Sequence, residues 1–363
     1  MKTLFQEAAE MARNSKPPSA NTEWAEFCKY IKDRHSFKVV ENILQEVVGK
    51  SVLVIGETIV DEYAYVEPMS KSPKGALLTS HYIGSEYFAG GILACANHVA
   101  GFCDKVRLAT CLGQKRTMAG FVNKNLLSNV NSTFFYRQGA TTTVNTRFTV
   151  NGTNNRLFGV YHFDHSPLSQ DLELDVLKFL EAEIPEHDLV LVVDYGHGFF
   201  TEKIIALLAG KSRFLALNVQ TNSTNFGFNP VYKFPRADYI CLDEIEARLA
   251  VGSRFGEIKD IVGAIADRMS CSRVSITLGK NGALIFDKSV VMDVPAFPAN
   301  IVDSVGTGDA YLSVTAPCVA VGASMELVGL IGSIAGSIHV QTLCNRSTIE
   351  REELTRCLKE VWQ

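Results

Sequence analysis

The sequence predicts an α/β protein: a doubly wound, mostly parallel sheet flanked by helices, with a small inserted β-sheet and a helical N-terminal extension. Three observations carry that expectation. Six short runs, "SVLVIG", "VRLATCLG", "LVLVVD", "FLALN", "DYICL" and "VSITLG", are β-rich and apolar on both faces, as strands covered on both sides must be. Helical patterns follow them at 91–101, 116–129, 201–210, 244–251, 257–269, 309–322 and 324–342, and such alternation builds a parallel sheet through crossovers. Two regions, about 61–88 and 132–165, break the rhythm with alternating polar and apolar residues, as in "TTTVNTRFTVNG" and "RLFGVYHFD". They read as half-exposed antiparallel strands, with "NGTNN" as a hairpin turn between two of them. An insertion of this kind is a candidate lid or dimer contact.

Residues 1–48 read as a helical extension ahead of a main domain at 49–363. "WAEFCKYIKDRHSFKVVENILQEVVG" has apolar positions three and four apart. "NSKPPSANTE" is a loop ending in a helix cap at Asn21 or Thr22. With 363 residues, 47% apolar and 20% charged, the chain can bury a large core, and the composition excludes disorder. A net charge of −4 leaves no electrostatic footprint for nucleic acid. The nine cysteines form no CxxC pair and read as buried, reduced thiols of a cytoplasmic protein. The N-terminus carries acids where a signal peptide needs an apolar run. The low-charge stretch from Ala310 to Val340 contains Pro317 and Glu326, so it reads as two buried helices rather than a membrane span.

The chemistry concentrates in "VDSVGTGDA", residues 302–310. Small residues before a helix let backbone N–H groups converge on one point, and the helix N-terminus adds partial positive charge. Gly306, Thr307 and Gly308 would thus form an anion hole. Asp309, in the first turn, would be held ionised by the dipole and could accept a proton. A carboxylate beside an anion hole suits phosphoryl transfer to a hydroxyl. The same pattern also fits ordinary helix capping. The chain has no GxxxxGK[ST], no GxGxxG after its first strand, no GxSxG and no HExxH. A nicotinamide-dependent oxidoreductase is therefore disfavoured.

With these residues in place, a resemblance emerges. "DSVGTGD" resembles the DTxGAGD signature of the ribokinase-like (PfkB) carbohydrate kinases, with Ser304 for Thr and Thr307 for Ala. "VLVIGETIVDEY", "AGGILACANHVAGF", "DEIEAR" and "ITLGKNG" resemble further motifs of that family in the same order. "VVDYGHGFF" and "DEYAYVEPMSKSPKG" look most like its heptose-7-phosphate kinase branch, which has Lys where this chain has His197. No HxGH nucleotidyltransferase motif occurs. The resemblance implies a ribokinase-like fold, ATP and Mg²⁺ as cofactors, and a sugar or sugar phosphate as acceptor, for surface polysaccharide. It gives Asp309 as base, with the Gly306–Gly308 segment as anion hole. Asp61, Gly90, Gly91, Asn97 and Arg147 would bind the sugar. Asn218, Asp243, Thr277, Gly279 and Gly282 would lie against the nucleotide. Glu246 and Asp243, three residues apart on one helical face, would organise the metal. If the sugar already carries a phosphate, one or two of Arg147, Arg156, Lys71 and Lys74 should hold it. Inserted strands would close over the sugar and pair two protomers.

The sequence departs from that pattern in three places. The family's "GGxxN" asparagine is Ala94 here, so sugar contact moves to Asn97 or the substrate differs. Asn218 and Gln220 stand at the acid and the lysine of an Asp-Pro-Lys-like stretch. Asp243 replaces an asparagine. A different acceptor would explain these changes, and so would a catalytically silent sugar- or nucleotide-binding protein that acts through a partner.

Overall fold

In the computed structural model, residues 22–288 and 290–363 are described. The expected loop and the Asn21 cap at the N-terminus lie outside them. The main sheet runs β12-β11-β10-β9-β8-β7-β1-β3-β4. Its members are β1 (Ser51–Lys71), β3 (Lys105–Lys115), β4 (Val130–Thr141), β7 (Leu189–Asp194), β8 (Leu215–Val219), β9 (Tyr239–Asp243), β10 (Arg273–Thr277), β11 (Ala283–Asp287) and β12 (Val290–Val294). From β4 through to β10 every pairing is parallel, and β11 and β12 add an antiparallel edge. The six runs read as strands are the six central ones.

Side chains alternate across these strands into two cores. Val52, Val54, Leu189, Leu191 and Val193 enter one cluster. Leu53, Ile55, Val190 and Val192 enter the other. This two-sided burial is why the runs are apolar without alternation. The first core is covered by α1 (Thr22–Arg34), α2 (Phe37–Val48), α3 (Ile92–Ala100), α4 (Ala119–Asn125), α9 (Thr307–Ala320), α10 (Met325–His339) and α11 (Arg351–Trp362). The second is covered by α5 (Gln170–Glu183), α6 (Glu202–Lys211), α7 (Glu244–Val251) and α8 (Ile258–Met269). Helices α5 and α11 and strands β4, β11 and β12 lie outside the alternation expected above. None of the described helices is long and apolar enough to cross a membrane.

The lid departs from expectation in two ways. Strand β1 does not end at the main sheet. Through Glu57 it pairs with β3, and from Thr58 onward it pairs antiparallel with β2 (Leu78–Gly91). Over Ile59–Val66 it also pairs with β5 (Thr143–Val150), in parallel, so the lid is a mixed sheet rather than a set of antiparallel strands. β5 in turn pairs antiparallel with β6 (Arg156–His162) across the expected turn. The segment 130–141, part of which was expected in the lid, is instead β4, an edge strand of the main sheet. Its partial exposure comes from that edge, which sequence alternation does not distinguish from a lid.

The N-terminal helices pack as part of the first core rather than as a detached appendage. Trp24 meets Phe297 edge-on at 5.0 Å, and Phe37 packs on Trp362 at 5.5 Å. The Tyr30 hydroxyl donates to Glu326 at 2.9 Å, and the Trp362 indole donates to His35 O at 2.9 Å. Ile31 is wholly buried there. An Ile31→Ala substitution is expected to lower unfolding free energy by roughly 2–5 kcal/mol, read from urea denaturation followed through the whole domain. An unchanged main transition would show that the helices fold apart from it.

Candidate active site

Strand order reverses between β1 and β7, with β3 and β4 on one side and β7 to β10 on the other. At such a reversal the loops beyond the carboxyl ends of the strands part and leave a crevice. Two cavities open beyond the carboxyl ends of the strands, the smaller at this reversal and the larger beside it over β8 to β10. A smaller one of about 280 Å³ lies under the lid and is lined by Asp61, Gly91, Arg147, His197, Gln220, Gly306 and Asp309, among others. A larger one of about 850 Å³ is lined by Asn218, Asp243, Glu246, Thr277, Gly279, Gly282, Gly306, Thr307, Gly308 and Asp309. Gln220, Gly306 and Asp309 line both.

Asp309 sits in the first turn of α9 and is 7% exposed. Its Oδ1 accepts from the Gln220 amide at 2.8 Å and from the Tyr195 hydroxyl at 3.1 Å. The sequence suggested a carboxylate kept strongly acidic by the helix dipole. The structure corrects this: burial pushes the Asp309 carboxyl up to about 7, and the charge of Asp61 adds to the rise. The bonds from Tyr195 and Gln220 oppose that shift, because they favour the charged form. A group poised near 7 is better matched to proton acceptance than a fully acidic one.

Gly306 caps α9 in the left-handed region at φ +85°. A β-carbon there would run into the Asn345 side chain, so glycine is needed both for the turn and for the fit. Ala310 N–H donates to Gly306 O at 2.9 Å. The N–H groups of Gly308 and Asp309 precede that first intrahelical bond and have no carbonyl within the helix. Thr307 Oγ1 is buried and has no partner among the described residues. These groups leave hydrogen-bonding capacity unused at the wall of the larger cavity.

Asp61, on β1, is buried and ion-paired with Arg147 of β5. A β-carbon on Gly90 would overlap the Asp61 carboxylate. Gly90 therefore makes room for the acid rather than lining the cavity, whereas Gly91, at φ +55°, lines it. Asn97 does not reach the site. Its amide donates to Asn125 O at 2.7 Å and accepts from Leu127 N at 3.0 Å, tying α4 to α3. With both ends of its side chain engaged in that tie, and with neither cavity lined by it, the contact does not move to Asn97. Lys71 and Lys74 are exposed in the lid and line neither cavity. Arg156 is committed elsewhere: it pairs with Asp303, whose other oxygen accepts from the Tyr63 hydroxyl at 2.7 Å and from Cys344 N at 3.1 Å. Asp303 Oδ1 also accepts from Val305 N at 3.1 Å. This cluster latches the lid to the loop that carries Gly306.

The "DEIE" segment also reads differently in the fold. Asp243 is the N-cap of α7 and accepts from Glu246 N at 2.7 Å, while Glu246 Oε2 accepts from Asp243 N at 2.8 Å. The three-residue spacing is thus a capping box. Glu246 Oε1 also accepts from Thr221 N at 3.2 Å. Burial, with the charge of Asp243 adding to it, holds the Glu246 carboxyl well above the usual range. Among the described residues no three His, Cys, Asp or Glu side chains cluster as a direct metal cage. These carboxylates keep lone pairs beyond their backbone bonds and line the larger cavity. They therefore fit a hydrated Mg²⁺, which prefers waters and phosphate oxygens to an all-protein cage.

Sequence reasoning missed Asn145, Tyr161, Tyr195, Asn222 and Asn345 in the smaller cavity. They come from separate loops and strands with no shared motif. It also missed Glu57, at the point where β1 passes from one sheet to the other. Glu57 accepts N–H bonds from Tyr195 at 2.9 Å and His197 at 3.0 Å, so it shapes the "DYGHGF" loop. An acid directly after the apolar run "VLVIG" was its one visible signal.

Comparison with known proteins settles the family. Residues 50–350 match the pfkB family carbohydrate kinases. The chain belongs to that family. It is 26% identical over 316 residues to the bifunctional protein HldE of Desulfatibacillum aliphaticivorans, covering 85% of this chain and 63% of that protein. It is 24% identical over 322 residues to the HldE of Bradyrhizobium diazoefficiens, covering 86% and 64%. The chain thus spans less than two thirds of the length of these relatives. Among solved structures, a ribokinase of Arabidopsis thaliana complexed with ribose and ATP superposes with TM-score 0.65 at 17% identity, covering 86% of this chain and 99% of that one. Phosphofructokinase-2 of Escherichia coli gives TM-score 0.67 at 16% identity, covering 87% and 100%. The fold is that of the ribokinase-like kinases.

Two outcomes follow for this pfkB-family chain. Gly90→Ala should displace the Asp61 carboxylate and abolish sugar binding while binding of a non-hydrolysable ATP analogue persists, both read by calorimetry. The second concerns stability. A carboxyl raised to about 7 stabilises the fold while protonated and loses that contribution as pH rises from its unfolded value, about 4, through 7. Asp309→Asn should therefore gain stability relative to wild type between pH 5 and pH 8, by roughly 1–3 kcal/mol. Paired thermal melts at the two pH values check this.

Proposed function

We propose that this protein transfers the γ-phosphoryl group of ATP to a hydroxyl of a sugar or sugar phosphate, with a heptose phosphate among the candidates suggested by its HldE relatives. One observation carries the reading: Asp309 lines both cavities. A donor in the larger cavity and an acceptor in the smaller one would meet at this carboxylate. ATP would lie along Thr277, Gly279 and Gly282, with its phosphates towards Gly306–Gly308. The sugar would lie under the lid against Asp61 and Arg147.

In this arrangement Asp309 accepts the proton of the attacking hydroxyl. Gln220 and Tyr195 orient the carboxylate through Oδ1. The N–H groups of Gly308 and Asp309, with the helix dipole behind them, face the charge that spreads over the transferring phosphoryl. Glu246 and Asp243 would hold the waters of Mg²⁺, which neutralises phosphate charge when bound. The lid excludes water, the competing acceptor. The lid also exposes Tyr82, Ile83, Leu157 and Phe158, which supports a homodimer formed through it. Use of ATP and the free cysteines support a cytoplasmic setting.

A second reading has its own support. Asn218 and Gln220 stand in place of charged residues, and the capping box engages both acids of "DEIE". A binding protein without turnover would look this way. ADP release from Mg·ATP across sugars and sugar phosphates separates the two readings. Turnover that depends on sugar and falls about 100- to 10,000-fold in Asp309→Asn is the expected result. Ligand binding without turnover favours the binding protein. In the active case kcat/KM should rise with pH through about 7 as Asp309 ionises. Gln220→Leu removes a donor that favours the charge and should move that limb to higher pH.

A further inference from the structure

The smaller cavity has a charge balance that the similarity to HldE proteins does not foretell. Its lining includes two carboxylates, Asp61 and Asp309. It includes one guanidinium, Arg147, and that group is already ion-paired with Asp61. His197 is the remaining basic group among the described lining residues. Burial, with the charges of His165 and Arg137 adding to it, pushes His197 down to about 4, so it is neutral at pH 7. The cations nearby are engaged elsewhere. Arg156 pairs with Asp303, and Arg137 donates to the backbone carbonyls of Asp164, Ser166 and His197. Lys71 and Lys74 stand exposed in the lid outside the lining. The rest of the wall is uncharged, and much of it hydrogen-bonds: Asn145, Tyr161, Asn222, Ser223, Thr224 and Asn345.

From this wall we infer that the acceptor is an uncharged polyhydroxy compound, a free sugar or polyol, rather than a sugar phosphate. The inference rests on the kinase reading above and narrows its substrate. A phosphate dianion placed here would face two carboxylates. To bind it, Arg147 would have to share its single charge between the phosphate and the buried Asp61 carboxylate. A hydroxyl makes no such demand. It donates to Asp61 while Arg147 keeps its pair, and it both donates to and accepts from the amides and hydroxyls around it. The buried Asn345 Oδ1, unpartnered among the described residues and next to Gly306, is an acceptor of the kind a hydroxyl satisfies and a phosphate oxygen repels.

The test compares matched pairs: free pentoses, hexoses and heptoses against their terminal phosphate esters. ADP release gives kcat/KM, and calorimetry in the presence of a non-hydrolysable ATP analogue gives binding. The free member of the best pair should exceed its ester by at least about tenfold in kcat/KM, and its KM should be insensitive to salt. Ser223→Arg should shift the preference towards the ester by supplying the missing cation. A better kcat/KM for the ester would overturn the inference and leave the kinase reading intact. Binding of a free sugar without turnover would uphold the uncharged ligand and remove the kinase. Binding of neither member would overturn the inference.

Discussion

Backbone pairing along β1 is the constraint on which the rest of the site depends. One strand of 21 residues belongs to two sheets. Its first part is locked between β3 and β7 in the centre of the main sheet. Its second part carries the lid, so the lid is placed by an unbroken run of hydrogen bonds rather than by a flexible linker. Glu57 lies at the changeover. Its carboxylate collects N–H groups from the loop after β7 and fixes that loop beside the strand from which Asp61 projects. Burial, aided by the charge of Asp194, raises the Glu57 carboxyl to about 7. The strand thus keeps a costly acid inside a core, where it organises the wall of the smaller cavity.

Asp309 shows the same balance. A carboxylate away from water is destabilising, and two neutral donors, Tyr195 and Gln220, offset only part of that cost. The residue lies where the two cavities meet, so the strain falls at the wall they share. Neutral Gln220 leaves Asp309 less acidic than a cation at the same position would.

The lid is held at its far end as well as along β1. Asp303 joins Tyr63 of β1, Arg156 of β6, the Cys344 backbone and the Val305 backbone in one cluster. Asn154, in the turn between β5 and β6, donates to Val302 O at 2.6 Å. The loop leading to Gly306 is thus read by the lid at several points. The position of the lid and the shape of the loop at Gly306 are therefore set by shared groups.

The sequence by itself determined the central six strands, most of the crossover helices, and the segment 306–309, because each depends on local rules. Two-sided burial writes itself as unbroken apolar runs, crossovers as helical periodicity, and a tight turn into a helix as small residues before it. Tertiary structure decided what depends on distant partners. It decided that β4 joins the main sheet and that Asn97 ties helices together. It also made "DEIE" a capping box, made Asp309 weakly acidic, and committed Arg147 and Arg156 to acids far along the chain. A residue's type shows what it can bond to, but its partner, its burial and hence its charge are fixed only when remote segments pack against it.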